Sequence, residues 1–111
     1  DTVISGVGEA DYSGYPDCRK STIDALEKAV NLGMESRICF ESPLMSLDKA
    51  QIFAMALKLG GESFLKLVIE DSHPCYQGDR SLFHPWGYGC GNCPACNLRK
   101  RGYEKFVKGK N

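Results

Sequence analysis

The chain has 111 residues, 42% of them hydrophobic and 25% charged, with 14 basic and 14 acidic side chains that cancel. That length holds at most one domain of ordinary size, the composition is globular without low-complexity runs, and a net charge of zero disfavours a globally basic nucleic-acid binder. No signal-peptide pattern is present, and no uncharged apolar run nears the roughly 18 to 20 residues that span a bilayer, so the expectation is a soluble, cytoplasmic protein with no membrane partner.

Thr2-Val3-Ile4-Ser5-Gly6-Val7 reads as a short buried strand entered without a preceding loop or an initiator methionine, as in a piece of a longer protein. Gly8 to Arg19 is a polar loop at the strand's C-terminal end, where ligands sit in parallel α/β sheets. A helix from near Cys18 to Leu32 is predicted next, with Asp17 as N-cap, Ile23, Leu26, Ala29 and Val30 on its apolar face and Gly33 as its stop. Arg37 to Ser42 alternates as a second strand and ends at Pro43. A second helix starts near Ser46 or Leu47, carries Ile52, Phe53, Ala56 and Leu59 at helical spacing, and stops at Gly60-Gly61.

The order strand, helix, strand, helix is that of a parallel sheet with crossover helices. Two strands cannot make such a sheet alone, so most of it is missing. Phe64 to Ile69 is a short apolar helix or irregular segment, and the rhythm ends there. We therefore divide the chain into residues 1–70, the α/β part, and 71–111, a metal-binding loop and C-terminal helix. Cys75 to Tyr88 reads as a loop with little periodicity, and a final helix runs from about Pro94 to Val107 with Cys96, Leu98, Tyr103 and Phe106.

Cysteine spacing carries the chemistry. Cys90, Cys93 and Cys96 stand three apart, Gly89 and Gly91 let the backbone bend beside Cys90, and Cys75 supplies a fourth thiolate from a preceding loop. Four such thiolates suit the tetrahedron of structural zinc. A disulfide with two spare thiols and an iron–sulfur site remain the alternatives. Cys18 and Cys39 are left over, and His73 and His84 flank the loop as surface or supporting residues.

Asp11, Tyr12, Ser13, Tyr15, Asp17 and Arg19 offer carboxylates, phenols, a hydroxyl and a guanidinium that suit a planar heteroaromatic ligand, or else form an ordinary polar turn. Lys49 is either a phosphate ligand or a solvated lysine. Arg99, Lys100, Arg101, Lys105, Lys108 and Lys110 form a basic run, read as a solvated helix face and tail or as a patch for nucleic acid or a partner.

Together these pieces resemble the 7-cyano-7-deazaguanine synthase family of queuosine biosynthesis. The resemblance is carried by Glu9-Ala10-Asp11-Tyr12-Ser13-Gly14-Tyr15-Pro16-Asp17-Cys18-Arg19, by Ser42-Pro43-Leu44-Met45-Ser46-Leu47-Asp48-Lys49-Ala50, by Ser72-His73-Pro74-Cys75-Tyr76, and by the run from Gly89 to Arg99. The first and last of these are specific to the family, whereas the Pro-Leu and Leu-x-Lys element is shared with other ATP-pyrophosphatase-type enzymes.

The resemblance implies the C-terminal part of a Rossmann-like, adenine nucleotide alpha hydrolase-like α/β fold with a small helical zinc-binding segment. It implies a cytoplasmic, homodimeric, ATP-dependent ligase that makes 7-cyano-7-deazaguanine from 7-carboxy-7-deazaguanine and ammonia, with ATP and magnesium as co-substrate. Cys75, Cys90, Cys93 and Cys96 would hold one structural zinc, Asp11, Tyr15, Asp17 and Arg19 would shape the deazapurine pocket, and Lys49 would lie near the ATP phosphates. The family's Ser-Gly-Gly-x-Asp-Ser phosphate loop is absent, so this chain is expected to be a C-terminal half that is inactive alone. A zinc-ribbon-like module contacting nucleic acid or a protein partner is the competing expectation.

Overall fold

A computed structural model describes residues 1–8 and 15–109. They form two compact units, Asp1–Asp48 and Lys49–Asn111. Among the described residues no helix is long and apolar enough to cross a membrane.

In the first unit, strand β1 (Thr2–Ile4) pairs in parallel with β2 (Cys39–Glu41), matching Thr2 to Cys39 and Ile4 to Glu41. Helix α1 (Lys20–Met34) connects them and packs against β2, which is the crossover the sequence rhythm called for. Polar side chains fasten it. Asn31 accepts from the Ile38 N–H at 2.7 Å and donates to the Ile38 carbonyl at 2.8 Å, and the Glu27 carboxylate accepts from the Phe40 N–H at 2.6 Å.

The expectation of a buried first strand is corrected: β1 is exposed throughout, with Ile4 at 69%. Two strands and one helix leave most of each sheet face uncovered, and among the described residues of this unit only Met45 is buried. Both expected ends of α1 also move. A single 3-10 turn, Pro16–Cys18, precedes the helix, so Arg19 rather than Asp17 is the N-cap residue, and it makes no side-chain capping bond. At the other end Gly33 is helical and Glu35 takes the left-handed turn (φ 51°, ψ 43°), its N–H donating to the Asn31 carbonyl. The Asn31 link to Ile38 fixes where the chain must turn, which overrides the glycine's preference.

In the second unit, α2 (Lys49–Asp71) is broken at Gly61, whose φ of 72° and ψ of −169° suit glycine almost alone. The Gly60-Gly61 stop is therefore present, and the segment after it is a second helical arm. Ala50, Phe53, Ala56 and Leu65 are buried and join Phe106 of α3 (Pro94–Gly109) in one core. Phe53 stands edge-on to Tyr103 at 5.4 Å and lies 5.9 Å from Phe106. Leu59, expected on this face, is 75% exposed, because Leu57 turns inward in its place. The helices approach closely at Gly102, where a Cβ would come within 2.3 Å of the Lys49 Cβ.

The segment expected to be an unstructured loop contains a hairpin, β3 (Phe83–His84) against β4 (Gly87–Tyr88). Each strand has two residues, too few for alternation to show in sequence. Arg80 stacks over Tyr88 at 4.3 Å, and Phe83 lies 4.7 Å from the same ring.

Candidate metal centre

Four cysteines converge beneath the hairpin. The Sγ atoms of Cys75, Cys90, Cys93 and Cys96 all lie within 4.8 Å of one another. Three segments deliver them: the turn after α2 gives Cys75, the strand-to-helix loop gives Cys90, and the residue just before α3 and the helix's first turn give Cys93 and Cys96. None is bridged to another cysteine, and the remaining two, Cys18 half-buried and Cys39 exposed, belong to the first unit.

Backbone geometry favours thiolates here. The Cys90 N–H donates to Cys75 Sγ at 3.4 Å, the Asn92 and Cys93 N–H groups to Cys90 Sγ at 3.4 and 3.3 Å, and the Cys96 N–H to Cys93 Sγ at 3.4 Å. Such donors stabilise sulfur's charged form. The N–H groups of Asp79 and then Cys90 bring the Cys75 thiol from 9.0 down to about 6. Burial works to raise Cys93, but the N–H groups of Tyr76 and Cys96 prevail and lower it. Burial pushes Cys96, which is fully enclosed, up to about 12. A divalent cation supplies what that buried thiolate lacks.

Packing leaves no tolerance around the cluster. A Cβ on Gly89 would lie 2.6 Å from Cys96 Sγ and 3.1 Å from the Trp86 ring, and Gly91 adopts φ 80°. The glycines flanking Cys90 thus have separate roles, one steric and one conformational. Trp86 is buried and stacks on His84 at 4.3 Å, the two rings nearly parallel. Both histidines use Nε2 on carbonyls, His84 on Gly89 and His73 on Asp79, each at 3.0 Å, in keeping with their expected supporting place. The donor set is therefore four sulfurs. It fits a zinc site.

Comparison with known proteins decides the family at this point. A profile described as "Queuosine biosynthesis protein QueC" matches residues 1–107. This chain belongs to the QueC family. Among curated relatives, the 7-cyano-7-deazaguanine synthase of Parvibaculum lavamentivorans is 56% identical over 108 residues, 97% of this chain and 46% of that protein. Those of Caulobacter sp. (strain K31) and Burkholderia lata are 55% and 54% identical over 94% and 96% of this chain, and 42% and 44% of their own lengths. The chain thus spans less than half the length of the curated relatives it matches.

The other residues singled out in the sequence fall in two places. Tyr15, Asp17 and Arg19 stand together before α1: Tyr15 is exposed and extended, Asp17 lies in the 3-10 turn within 3.8 Å of the Cys18 thiol, and Arg19 enters the helix. Asp11 lies outside the described residues. Near the C-terminal ends of the parallel strands, Gly8 approaches the Leu44 carbonyl, where a Cβ would be 3.4 Å away, and the Ser42 hydroxyl is buried without a partner among the described residues. Lys49 is the first residue of α2, in the second unit.

Sequence reasoning missed Arg99. Expected on a solvated basic face, it is 6% exposed and donates all five N–H groups: Nε to the Trp86 carbonyl at 2.7 Å, Nη1 to Ser72 Oγ at 2.7 Å and its carbonyl at 3.3 Å, and Nη2 to the Val68 and Ile69 carbonyls at 3.2 Å each. Burial lowers its pKa from the ordinary value, and the Cys96 thiolate pulls the other way. The signal was present, since Cys96, Arg99, Tyr103 and Phe106 recur on one helical face.

Proposed function

We propose that this chain is the C-terminal part of a 7-cyano-7-deazaguanine synthase, an ATP-dependent carbon–nitrogen ligase of queuosine biosynthesis and so of tRNA modification. The observation that carries the reading is the family match across residues 1–107, with relatives of that name above 50% identity. The parallel β1–α1–β2 crossover supports a Rossmann-like, adenine nucleotide alpha hydrolase-like domain in the whole protein, which we take to be a cytoplasmic homodimer.

The carboxylate of 7-carboxy-7-deazaguanine attacks the α-phosphorus of magnesium-bound ATP and expels pyrophosphate. Ammonia then forms the C–N bond, AMP leaves with the C–O bond pair, and a proton is lost. The amide oxygen attacks the α-phosphorus of a second ATP and expels pyrophosphate, and loss of AMP with two N–H protons leaves the nitrile. Asp11, Tyr15, Asp17 and Arg19 orient the deazapurine through edge hydrogen bonds and a ring face. Lys49 steadies phosphate charge as pyrophosphate departs. Cys75, Cys90, Cys93 and Cys96 hold zinc, which cross-links the loop and, with four thiolates around it, has a structural part. This chain without the rest of the protein is inactive in our reading.

The test is to give the full-length protein the deazaguanine acid, ammonia and ATP, and to follow nitrile and nucleotide together. Two AMP per nitrile are expected. Release of ADP would overturn the adenylation route, and absence of nitrile would overturn the substrate. Elemental analysis should give one zinc per chain and a colourless protein, whereas iron with visible charge-transfer absorption would replace zinc by an iron–sulfur centre.

A further inference from the structure

Arg99 touches every segment that supplies a thiolate. Ser72 stands just before Cys75, Trp86 just before Cys90, and Arg99 itself lies one turn beyond Cys96 on α3. Its remaining two donors take the last carbonyls of α2, at Val68 and Ile69. A rigid planar fork with five filled donors fixes the relative positions of these segments before any ion arrives. The Gly87 backbone is fitted to it, since a Cβ there would lie 3.0 Å from Arg99 Nη2 and 2.4 Å from the Ile69 carbonyl.

Charge points the same way. All of Arg99's acceptors are carbonyls or a hydroxyl, and among the described residues no carboxylate pairs with it. A buried guanidinium without an anion is costly. Four thiolates around a divalent ion retain net negative charge, and the Cys96 sulfur is the fully enclosed member of that set. We infer that Arg99 is the positioning residue and counter-charge of the metal centre, setting how firmly the four thiolates hold their ion rather than only capping α2. This inference rests on metal occupancy of the four cysteines and not on the synthase chemistry.

The experiment measures zinc release from the zinc-loaded, full-length protein to a chromophoric chelator under native conditions, for the wild type, Arg99→Met, Arg99→Lys and Phe106→Leu. Phe53 faces the Arg99 guanidinium at 5.6 Å and is left intact, whereas Phe106→Leu loosens the same α2–α3 core two turns further along α3 and controls for lost stability. Arg99→Met should release zinc on the order of 10- to 100-fold faster, the usual scale for a group that orients metal ligands. Arg99→Lys, which keeps the charge without the fork, should fall between, and Phe106→Leu should match the wild type. The cobalt-loaded Arg99→Met protein should also show a shifted ligand-field band, which a purely structural loss would not produce. Should Arg99→Met fail to fold, Ser72→Ala removes one acceptor alone and should speed release a few-fold. Release from Arg99→Met, or from Ser72→Ala in its place, no faster than from the wild type or Phe106→Leu overturns the inference. So does a wild type that binds no metal, whereas a zinc-bound protein that makes no nitrile sinks only the synthase reading.

Discussion

At single residues, the difference between the six cysteines is one of neighbours. Cys75, Cys90, Cys93 and Cys96 face one another and receive backbone N–H groups, while Cys18 and Cys39 sit in the other unit. Serine at any of the four should abolish stoichiometric zinc and lower the melting temperature of the second unit, because an ion bound by the folded site alone stabilises it. Cys18→Ser and Cys39→Ser should retain full zinc by elemental analysis, and equal loss from either would overturn the ligand set. The metal-free chain has its own signature with pH. Cys75 is depressed from 9.0 to about 6, so its contribution is complete above pH 9 and is lost as pH falls toward 6. Cys96 is raised to about 12, so its contribution is present below pH 9 and is lost as pH climbs toward 12. Denaturant midpoints of the reduced apo chain should therefore rise from pH 6 to 9, and Cys75→Ser should flatten that rise.

Secondary-structure elements show which sequence signals bound the fold and which were overruled. Helical periodicity located the three α-helices of the described residues, and the parallel crossover followed from the order of strands and helices, because both depend on local apolar spacing. Ends were less legible. Asn31 clasps Ile38 across the turn, so α1 runs through Gly33 and stops at Glu35, whereas Gly61 breaks α2 with nothing packed against it. The two glycines should then respond oppositely to the same change. Gly33→Ala, in a helix with open space around it, should stabilise by about 0.4 to 1 kcal/mol, and Gly61→Ala should cost about 1 to 3 kcal/mol from backbone strain alone. Thermal melts of both variants check this, and a stabilising Gly61→Ala would remove the break from α2. The metal ligands were legible for a related reason, since their spacing is local, while Arg99 was not, because its five acceptors come from distant positions and its charge marks it as a surface residue.

Over the whole molecule, the exposed strand β1 and the share of 42–46% of the relatives' lengths describe the same thing from two sides. Within the sheet, the Phe40 N–H of β2, directed away from β1, is taken by Glu27 and the Ile38 backbone by Asn31, so β2 is closed by side chains on the side away from β1. Among the described residues, β1 therefore carries the open edge of this sheet. The proposed chemistry is divided in the same way, for Asp17 and Arg19 stand in the first unit and Lys49 opens the second. If the first pair holds the deazapurine and Lys49 the phosphates, their losses separate kinetically in the full-length protein. Asp17→Ala and Arg19→Ala should raise the KM for the deazaguanine acid with little change for ATP. Lys49→Ala should do the reverse, at the scale of about 1.5 to 3 kcal/mol for a charge-assisted contact, so that the apparent ATP affinity falls roughly tenfold or more. Steady-state kinetics with each substrate varied in turn decide the matter. Wild-type constants in all three variants would reduce Asp17 to a residue of the 3-10 turn and Lys49 to an ordinary residue at the start of a helix.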